Sequence, residues 1–312
     1  MELKNKIAHA IHANIGKVIV GKDEQILTVL ATWLAGGHVL LEDVPGTGKT
    51  VLARALSKSV DVPFTRVQFT PDLLPSDLTG HSFYDEANKR FVFRKGPLFT
   101  TLFLGDELNR ATPRAQSALL EAMAERQITA EGISTQLPSL FFVIATQNPI
   151  EQQGTFPLPE AALDRFWVRL SLNVPEKEDE MKMLLARTSE DPLQHIDKVI
   201  GAKELESVQK EIGRVQVKPT LAQYLINLLD SIRKHAKITL GPSPRSGIQL
   251  LKLSMVWAYL AGEEFVRPEF IYELAPIVLG HRLILEPEAR FEGIKNQEII
   301  DECLKKVRAT VR

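Results

Sequence analysis

The spacing of apolar residues along the chain changes period in a way that marks out its elements. Ile7, Ile11 and Ile15 recur every fourth residue, which is one face of a helix, and Gly16 supplies a stop. A second helix is predicted over about 23–35, leading into the short apolar run 38–42. A glycine-rich turn and a helix over about 49–59 follow, completing a strand, loop, helix unit. Four more apolar runs return at 64–69, 101–104, 140–145 and 167–172, separated by helical or irregular stretches. Strands this apolar, joined by long crossovers, predict a five-stranded parallel sheet covered on both faces. Two hairpins are predicted as insertions: 82–85 with 90–94, and 127–129 with 135–137. Phe83, Tyr84, Phe91 and Phe93 make the first one aromatic, either as its own small core or as a patch for a substrate.

Past Val174-Pro175 only helical periods remain. Leu221, Leu225, Leu228, Leu229 and Ile232 mark one face, and Ile248, Leu251, Met255 and Tyr259 another. The expected division is therefore an α/β domain over 1–175 and a smaller, all-helical domain over 176–312. Charge adds an exclusion: 38 Lys+Arg against 39 Asp+Glu leave a net charge of −1, with no overall field to hold phosphate backbones or acidic lipid. Cys303 is the single cysteine, so no intramolecular disulfide forms. The longest uncharged apolar stretch, 26–41, falls short of the ~20 residues that cross a bilayer, and Gly36, Gly37 and His38 interrupt it. The segment near the start lacks the apolar run of a secretory signal. Together these predict a cytoplasmic protein without a membrane span. His9 and His12 share a helical turn with no third ligand in reach, and are read as solvent-facing.

The chemistry concentrates in three places. Asp43-Val44-Pro45-Gly46-Thr47-Gly48-Lys49-Thr50 follows a strand and precedes a helix. Gly46 and Gly48 let backbone N–H groups converge on a phosphate, Lys49 reaches the β/γ phosphates, and the Thr50 hydroxyl suits Mg²⁺. The usual pattern opens with glycine, where this chain has Asp43. The second place is Leu102-Phe103-Leu104-Gly105-Asp106-Glu107, an apolar strand ending in two carboxylates. Asp106 suits Mg²⁺, and Glu107 a base that deprotonates the attacking water. Third, the run 140–145 ends near Asn148, whose amide can bond the γ-phosphate or that water, or form a turn before Pro149.

These residues resemble the MoxR family of AAA+ ATPases, and the likeness covers nearly the whole chain, from Val20-Gly21 to His281-Arg282. Its most specific part runs from Gln68-Phe69-Thr70-Pro71-Asp72 to Gly80, supported by Gly96-Pro97-Leu98-Phe99, Asp106-Glu107-Leu108-Asn109-Arg110-Ala111 and Leu163-Asp164-Arg165-Phe166. The resemblance implies an AAA+ P-loop NTPase fold with a helical lid, ATP and Mg²⁺ as cofactors, and ATP hydrolysis at the interfaces of a homo-oligomeric, hexameric ring. It implies nucleotide contacts from Val20, Gly21, Pro45, Gly46, Thr47, Gly48, Lys49, Thr50 and Val51, with Thr50 and Asp106 toward the metal. Asn148 matches the first sensor, Arg165 the arginine finger given to a neighbouring subunit, and Arg245 the second sensor on the lid, so that nucleotide is expected between Lys49 and Arg245. A chaperone-like role on a protein client follows, with a partner bearing a von Willebrand factor A domain. Two alternatives share the same parts: a nucleic-acid motor, disfavoured by the charge balance, and a chelatase-type motor subunit for metal insertion.

Overall fold

The structure, a computed structural model, describes residues 3–44, 46–149, 154–186 and 191–307. Two helices come first, α1 (Lys6–Gly16) and α2 (Asp23–Leu34), then β1 (Val39–Glu42), the glycine-rich turn and α3 (Lys49–Val60). Next are β2 (Phe64–Gln68), α4 (Pro75–Thr79), β3 (Gly80–Asp85), β4 (Arg90–Lys95), β5 (Leu102–Asp106) and α5 (Pro113–Glu125). The α/β portion closes with β6 (Gln127–Ala130), β7 (Ile133–Gln136), β8 (Phe142–Gln147), α6 (Glu160–Leu163) and β9 (Val168–Leu170).

The five apolar runs form one sheet in the order β2-β5-β8-β1-β9, with every neighbouring pair parallel. Alternation along the strands divides the side chains between two cores. Leu102, Leu104, Phe142, Ile144, Val39 and Leu41 face the side of α1, α2 and α3. Phe103, Val143, Ala145 and Leu40 face α5, where Ala115, Leu119 and Met123 meet them. Trp33 of α2 stacks on Phe142 at 5.4 Å, and its indole N–H donates to the Leu140 carbonyl at 2.8 Å. Helix starts follow the expected capping chemistry. The Asn5 side chain accepts from Ala8 N before α1, and Thr112 accepts from Ala115 N before α5, where Pro113 takes the first turn.

Both predicted hairpins are present, with β3 antiparallel to β4 and β6 antiparallel to β7. The Glu131 carboxylate, in the turn between β6 and β7, accepts from the Ser82 backbone N–H at 2.8 Å and from its hydroxyl at 2.5 Å, joining the hairpins. Phe91 is 75% exposed and Tyr84 51%, so the aromatic character of the first hairpin is turned largely outward, and Ile133 of the second hairpin is exposed as well.

The remaining elements are α7 (Lys177–Ala186), α8 (Ala202–Ile212), α9 (Pro219–Arg233), β10 (Ile238–Leu240), α10 (Pro244–Leu260), α11 (Pro268–Leu279), β11 (Ile284–Leu285), α12 (Pro287–Phe291) and α13 (Asn296–Lys306). The expectation of helices alone past Pro175 gains one addition, an antiparallel ribbon of β10 with β11. Leu250, Leu253 and Trp257 of α10 share a core with Leu30 and Leu34 of α2, which fixes the helical portion against the sheet. Cys303 is buried on α13. His9 is exposed, and the His12 ring lies against the Asp23 carbonyl at 3.0 Å. Among the described residues no helix is long and apolar enough to cross a membrane.

Candidate active site

The turn after β1 is built for an anion. Gly46 and Gly48 sit at φ 89° and 90°, in the left-handed region, and open space surrounds Gly46, so conformation rather than crowding demands glycine there. Gly48 is the N-cap of α3 and offers no side chain to its first-turn amides, which leaves N–H groups and the positive end of the helix for phosphate oxygens. Lys49 Nζ donates to the Asp43 carbonyl at 3.0 Å, which holds it across the turn. Thr47 and Thr50 are half-buried on the same turn, and Val51 packs against the core beneath. Pro45 lies outside the described residues.

Asp43, which departs from the glycine of the usual pattern, has a clear task. Its buried carboxylate accepts from Leu172 N at 2.7 Å, Asn173 N at 3.0 Å and the Ser171 hydroxyl at 2.6 Å. The start of the phosphate turn is thereby tied to the segment leaving β9. Those partners lie about 130 positions on, beyond the reach of any local pattern.

Asp106 ends β5 with the same parity as Leu102 and Leu104, so it points to the α3 side of the sheet, where Thr50 lies. Its Oδ1 accepts from the Thr146 hydroxyl at 2.6 Å, and its Oδ2 meets an Arg66 Nη2 at 2.7 Å. Glu107 takes a left-handed conformation, φ 57°, uncommon outside glycine and costing about 1–3 kcal/mol. Its N–H donates to the same Thr146 hydroxyl at 2.9 Å, and its carboxylate pairs with Arg110 at 3.0 Å. Thr146, fully buried, therefore fixes both acidic residues at once. Asn148 is buried beyond the end of β8, and its carbonyl accepts from the Asn109 amide at 3.4 Å. Arg66, Arg110, Thr146 and Asp43 are site residues to which the sequence reading gives no role.

Val20 is half-buried, and Gly21 has φ 71°. Asp179 of α7 packs so closely that a Cβ at Gly21 would collide with its carboxylate. Beside the turn lies a cavity of about 230 Å³ lined by Gly46, Thr47, Val174, Pro175, Met183 and Leu184, with Glu180 at its wall. The mostly apolar lining suits a flat base next to a phosphate site.

The structure does not bring Arg165 or Arg245 to this turn. Both line a cavity of about 420 Å³ with Gly36, His38, Arg126 and Trp167, residues that precede β1 and β9 or follow α5. That is the amino edge of the parallel strands, whereas the turn follows their carboxyl edge, roughly 13 Å away along the four residues of β1. The expectation of nucleotide between Lys49 and Arg245 of one chain is thus not met. The reason is the docking of α10. Ser243 and Ser246 in its first turn reach the Asp164 carboxylate at 3.5 and 3.4 Å, and Gln249 reaches the Asp164 carbonyl at 3.4 Å. Arg282 completes the post. Its Nη2 donates to the Phe166 carbonyl at 2.7 Å, Nη1 to the Val278 carbonyl at 2.6 Å, and its Nε lies 3.0 Å from Asp164 Oδ1. Burial lowers this guanidinium to about 10, against the pull of Asp164.

Strand order, phosphate turn and helical cap are those of an AAA ATPase with its lid. The profile of the ATPase family associated with various cellular activities (AAA) matches residues 38–168, and that of the AAA lid domain matches residues 230–303. Among similar proteins, YeaC of Bacillus subtilis (strain 168) is 44% identical over 299 residues, covering 96% of this chain and 93% of that protein. Chaperone MoxR1 of Mycobacterium tuberculosis is 34% identical over 302 residues, covering 94% of this chain and 80% of its own length. A crystal structure from Cytophaga hutchinsonii superposes with a TM-score of 0.91 at 37% identity, covering 97% of this chain and 95% of that one. The chain belongs to the MoxR family of AAA+ ATPases.

Proposed function

We propose that this protein hydrolyses ATP with Mg²⁺ at the interfaces of a ring of its own copies, and uses the turnover to remodel a protein client. The observation that carries this reading is the placement of charge. Phosphate-binding and acidic groups lie at the carboxyl edge of the sheet, while Arg165 and Arg245 lie at the amino edge of the same chain. Each copy holds half a site at either edge, and a neighbour in a head-to-tail array supplies the other half. Six copies in a ring are the expectation for the family, and a von Willebrand factor A domain protein is the expected partner.

The residues fit a Mg²⁺-nucleotide. Free amides of the turn and Lys49 suit the β- and γ-phosphates, and the Thr50 hydroxyl with the Asp106 carboxylate suits the metal. A Mg²⁺ held by Thr50 and Asp106 would supply positive charge against the phosphate oxygens. Glu107, turned from Arg110 to a water that Asn148 orients, takes its proton as the oxygen attacks the γ-phosphorus, while the bond to the β,γ-bridging oxygen breaks and ADP leaves. Arg165 and Arg245 of the adjoining copy stabilise the charge that grows on the transferred phosphoryl group. The exposed Tyr84, Phe91 and Ile133 of the joined hairpins suit an apolar stretch of a polypeptide client.

Mixing inactive Arg165→Ala with inactive Glu107→Gln tests the reading, because some interfaces then pair an intact Glu107 with an intact Arg165. Recovered turnover that peaks at mixed ratios is expected. No recovery, with subunit exchange verified, would remove the interface model.

A further inference from the structure

The geometry points to Arg66 as a resident counter-ion that occupies Asp106 until Mg²⁺ displaces it, so that Arg66 sets the metal dependence of nucleotide binding. This rests on the reading that Asp106 serves the metal. Arg66 stands on β2, the edge strand of the sheet, two residues before Gln68, which lies in register with Asp106 of β5. Side chains two apart share a face, so Arg66, Gln68 and Asp106 all point to the α3 side. Arg66 Nη2 is 2.7 Å from Asp106 Oδ2 and 3.2 Å from Gln68 Oε1, so the guanidinium is braced by a neutral acceptor as well as the charged one.

The two oxygens of Asp106 are engaged differently. Oδ1 takes the hydroxyl hydrogen of buried Thr146, a neutral donor that leaves the charge of the carboxylate available. Oδ2 takes a full positive charge. A guanidinium and a hydrated divalent cation cannot both use that oxygen, because the two cations would then stand within a few ångströms of each other. Exposure shows which gives way. The Arg66 side chain is 43% exposed and that of Asp106 only 13%, so the arginine can swing into water while the carboxylate stays. The guanidinium gains hydration as it leaves and the carboxylate gains the metal, which makes the exchange reversible.

The consequence has two signs. Without metal, Arg66 cancels a carboxylate that would otherwise repel the phosphates, so it strengthens metal-free nucleotide binding. With metal, it competes for the ligand and weakens the gain that Mg²⁺ brings. The ratio of nucleotide Kd without and with Mg²⁺ should therefore rise about tenfold in Arg66→Gln, with contributions from both directions. Arg66→Lys keeps a charge but not the fork that bridges to Gln68, and should fall between.

The test is fluorescence titration of the full chain with a mant-labelled ADP, in EDTA and across a Mg²⁺ series, with thermal melting of each variant as a check on folding. Tighter binding in Mg²⁺ and weaker binding in EDTA for Arg66→Gln supports the counter-ion. Weaker binding in both would make Arg66 a phosphate ligand, and no change in either would make it inert; both results overturn the proposal. Asp106→Asn separates the failures. It should lose most of the Mg²⁺ enhancement and make Arg66→Gln silent in its background. If Asp106→Asn keeps the full enhancement, the assignment of Asp106 to the metal falls, and the counter-ion falls with it.

Discussion

Removal of Arg282 should loosen the helical portion of the molecule from the sheet by about 3 kcal/mol. The side chain is only 4% exposed and binds four groups on two bodies: the Phe166 carbonyl and Asp164 on the sheet side, Val278 and Gln249 on the helical side. Deleting one partner of a buried charge pair costs about 3–5 kcal/mol, since the other charge is left uncompensated. Three features place Arg282→Ala at the low end. Asp164 is one quarter exposed and keeps its two serine contacts. The Phe166 carbonyl keeps His281, whose Nε2 lies 3.0 Å away. Finally, the cavity of about 710 Å³ beside this post admits water to what remains. At about 1.5 °C per kcal/mol for a chain of 312 residues, the melting temperature should drop by about 5 °C. Hydrogen exchange should speed up first in the opening turn of α10 and in 164–170. Arg282→Lys keeps the charge without the planar fork and should lose less. A melting shift below about 2 °C for Arg282→Ala, with exchange unchanged in both segments, would refute the post as the joint between the two bodies.

Asp43→Gly restores the usual phosphate-loop residue but deletes three acceptor contacts, two of them to backbone N–H groups. It should destabilise the chain by about 2–4 kcal/mol, read by urea titration, and raise exchange at Leu172 and Asn173. Acid should act through two buried histidines. His38, its Nδ1 accepting from Val143 N, is lowered by burial from 6.5 to about 3, and burial also puts His281 well below 6.5. Below pH 6.5 the unfolded chain takes protons that the folded chain refuses, so their stability is present at pH 7 and is lost as pH falls. By pH 5.5 the loss is about 1.4 kcal/mol for each histidine. His38→Gln should halve the difference between urea midpoints at pH 7 and 5.5; an unchanged difference would rule out His38 as its source. Lys49→Ala should abolish binding of mant-labelled nucleotide, whereas Glu107→Gln should bind normally and lose hydrolysis by at least about a hundredfold, measured as phosphate release.

The sheet is legible because its strands, covered on both faces, are short continuous apolar runs, and the hairpins because paired strand-like runs flank polar turns. Lys49, Thr50, Asp106, Glu107 and Asn148 gather at one edge for the same reason: each ends or follows a strand, and parallel strands bring their ends together. What local pattern leaves out is whatever depends on distant partners. Asp43 reads as a defect in a motif until Leu172 and Asn173 are seen to donate to it. Arg66 has no role to read until β2 is placed against β5. The ribbon of β10 and β11 has strands of three and two residues, too short for alternation to register. Arg245 shows the limit most plainly. Periodicity over Ile248, Leu251, Met255 and Tyr259 misplaces the buried face of α10, which is Leu250, Leu253, Trp257 and Leu260 with Ile248 exposed, and which edge of the sheet that helix meets depends on Asp164 and Arg282, more than a hundred positions apart.

The opposed placement of the phosphate turn and the two arginines also bears on counting. A two-fold dimer presents the same surface from both copies, and a rigid chain whose acceptor and donor groups lie on opposite edges cannot complete two sites through one such surface. On the proposed function, copies are strung front to back. An open string of n copies then has n − 1 complete sites and one idle edge at each end, while closure gains the last site without adding a copy. Specific activity per chain should accordingly climb with concentration and reach a plateau only where strings close. A chain with its amino edge blocked should hold its string open, and so cost one site for each blocked chain taken up.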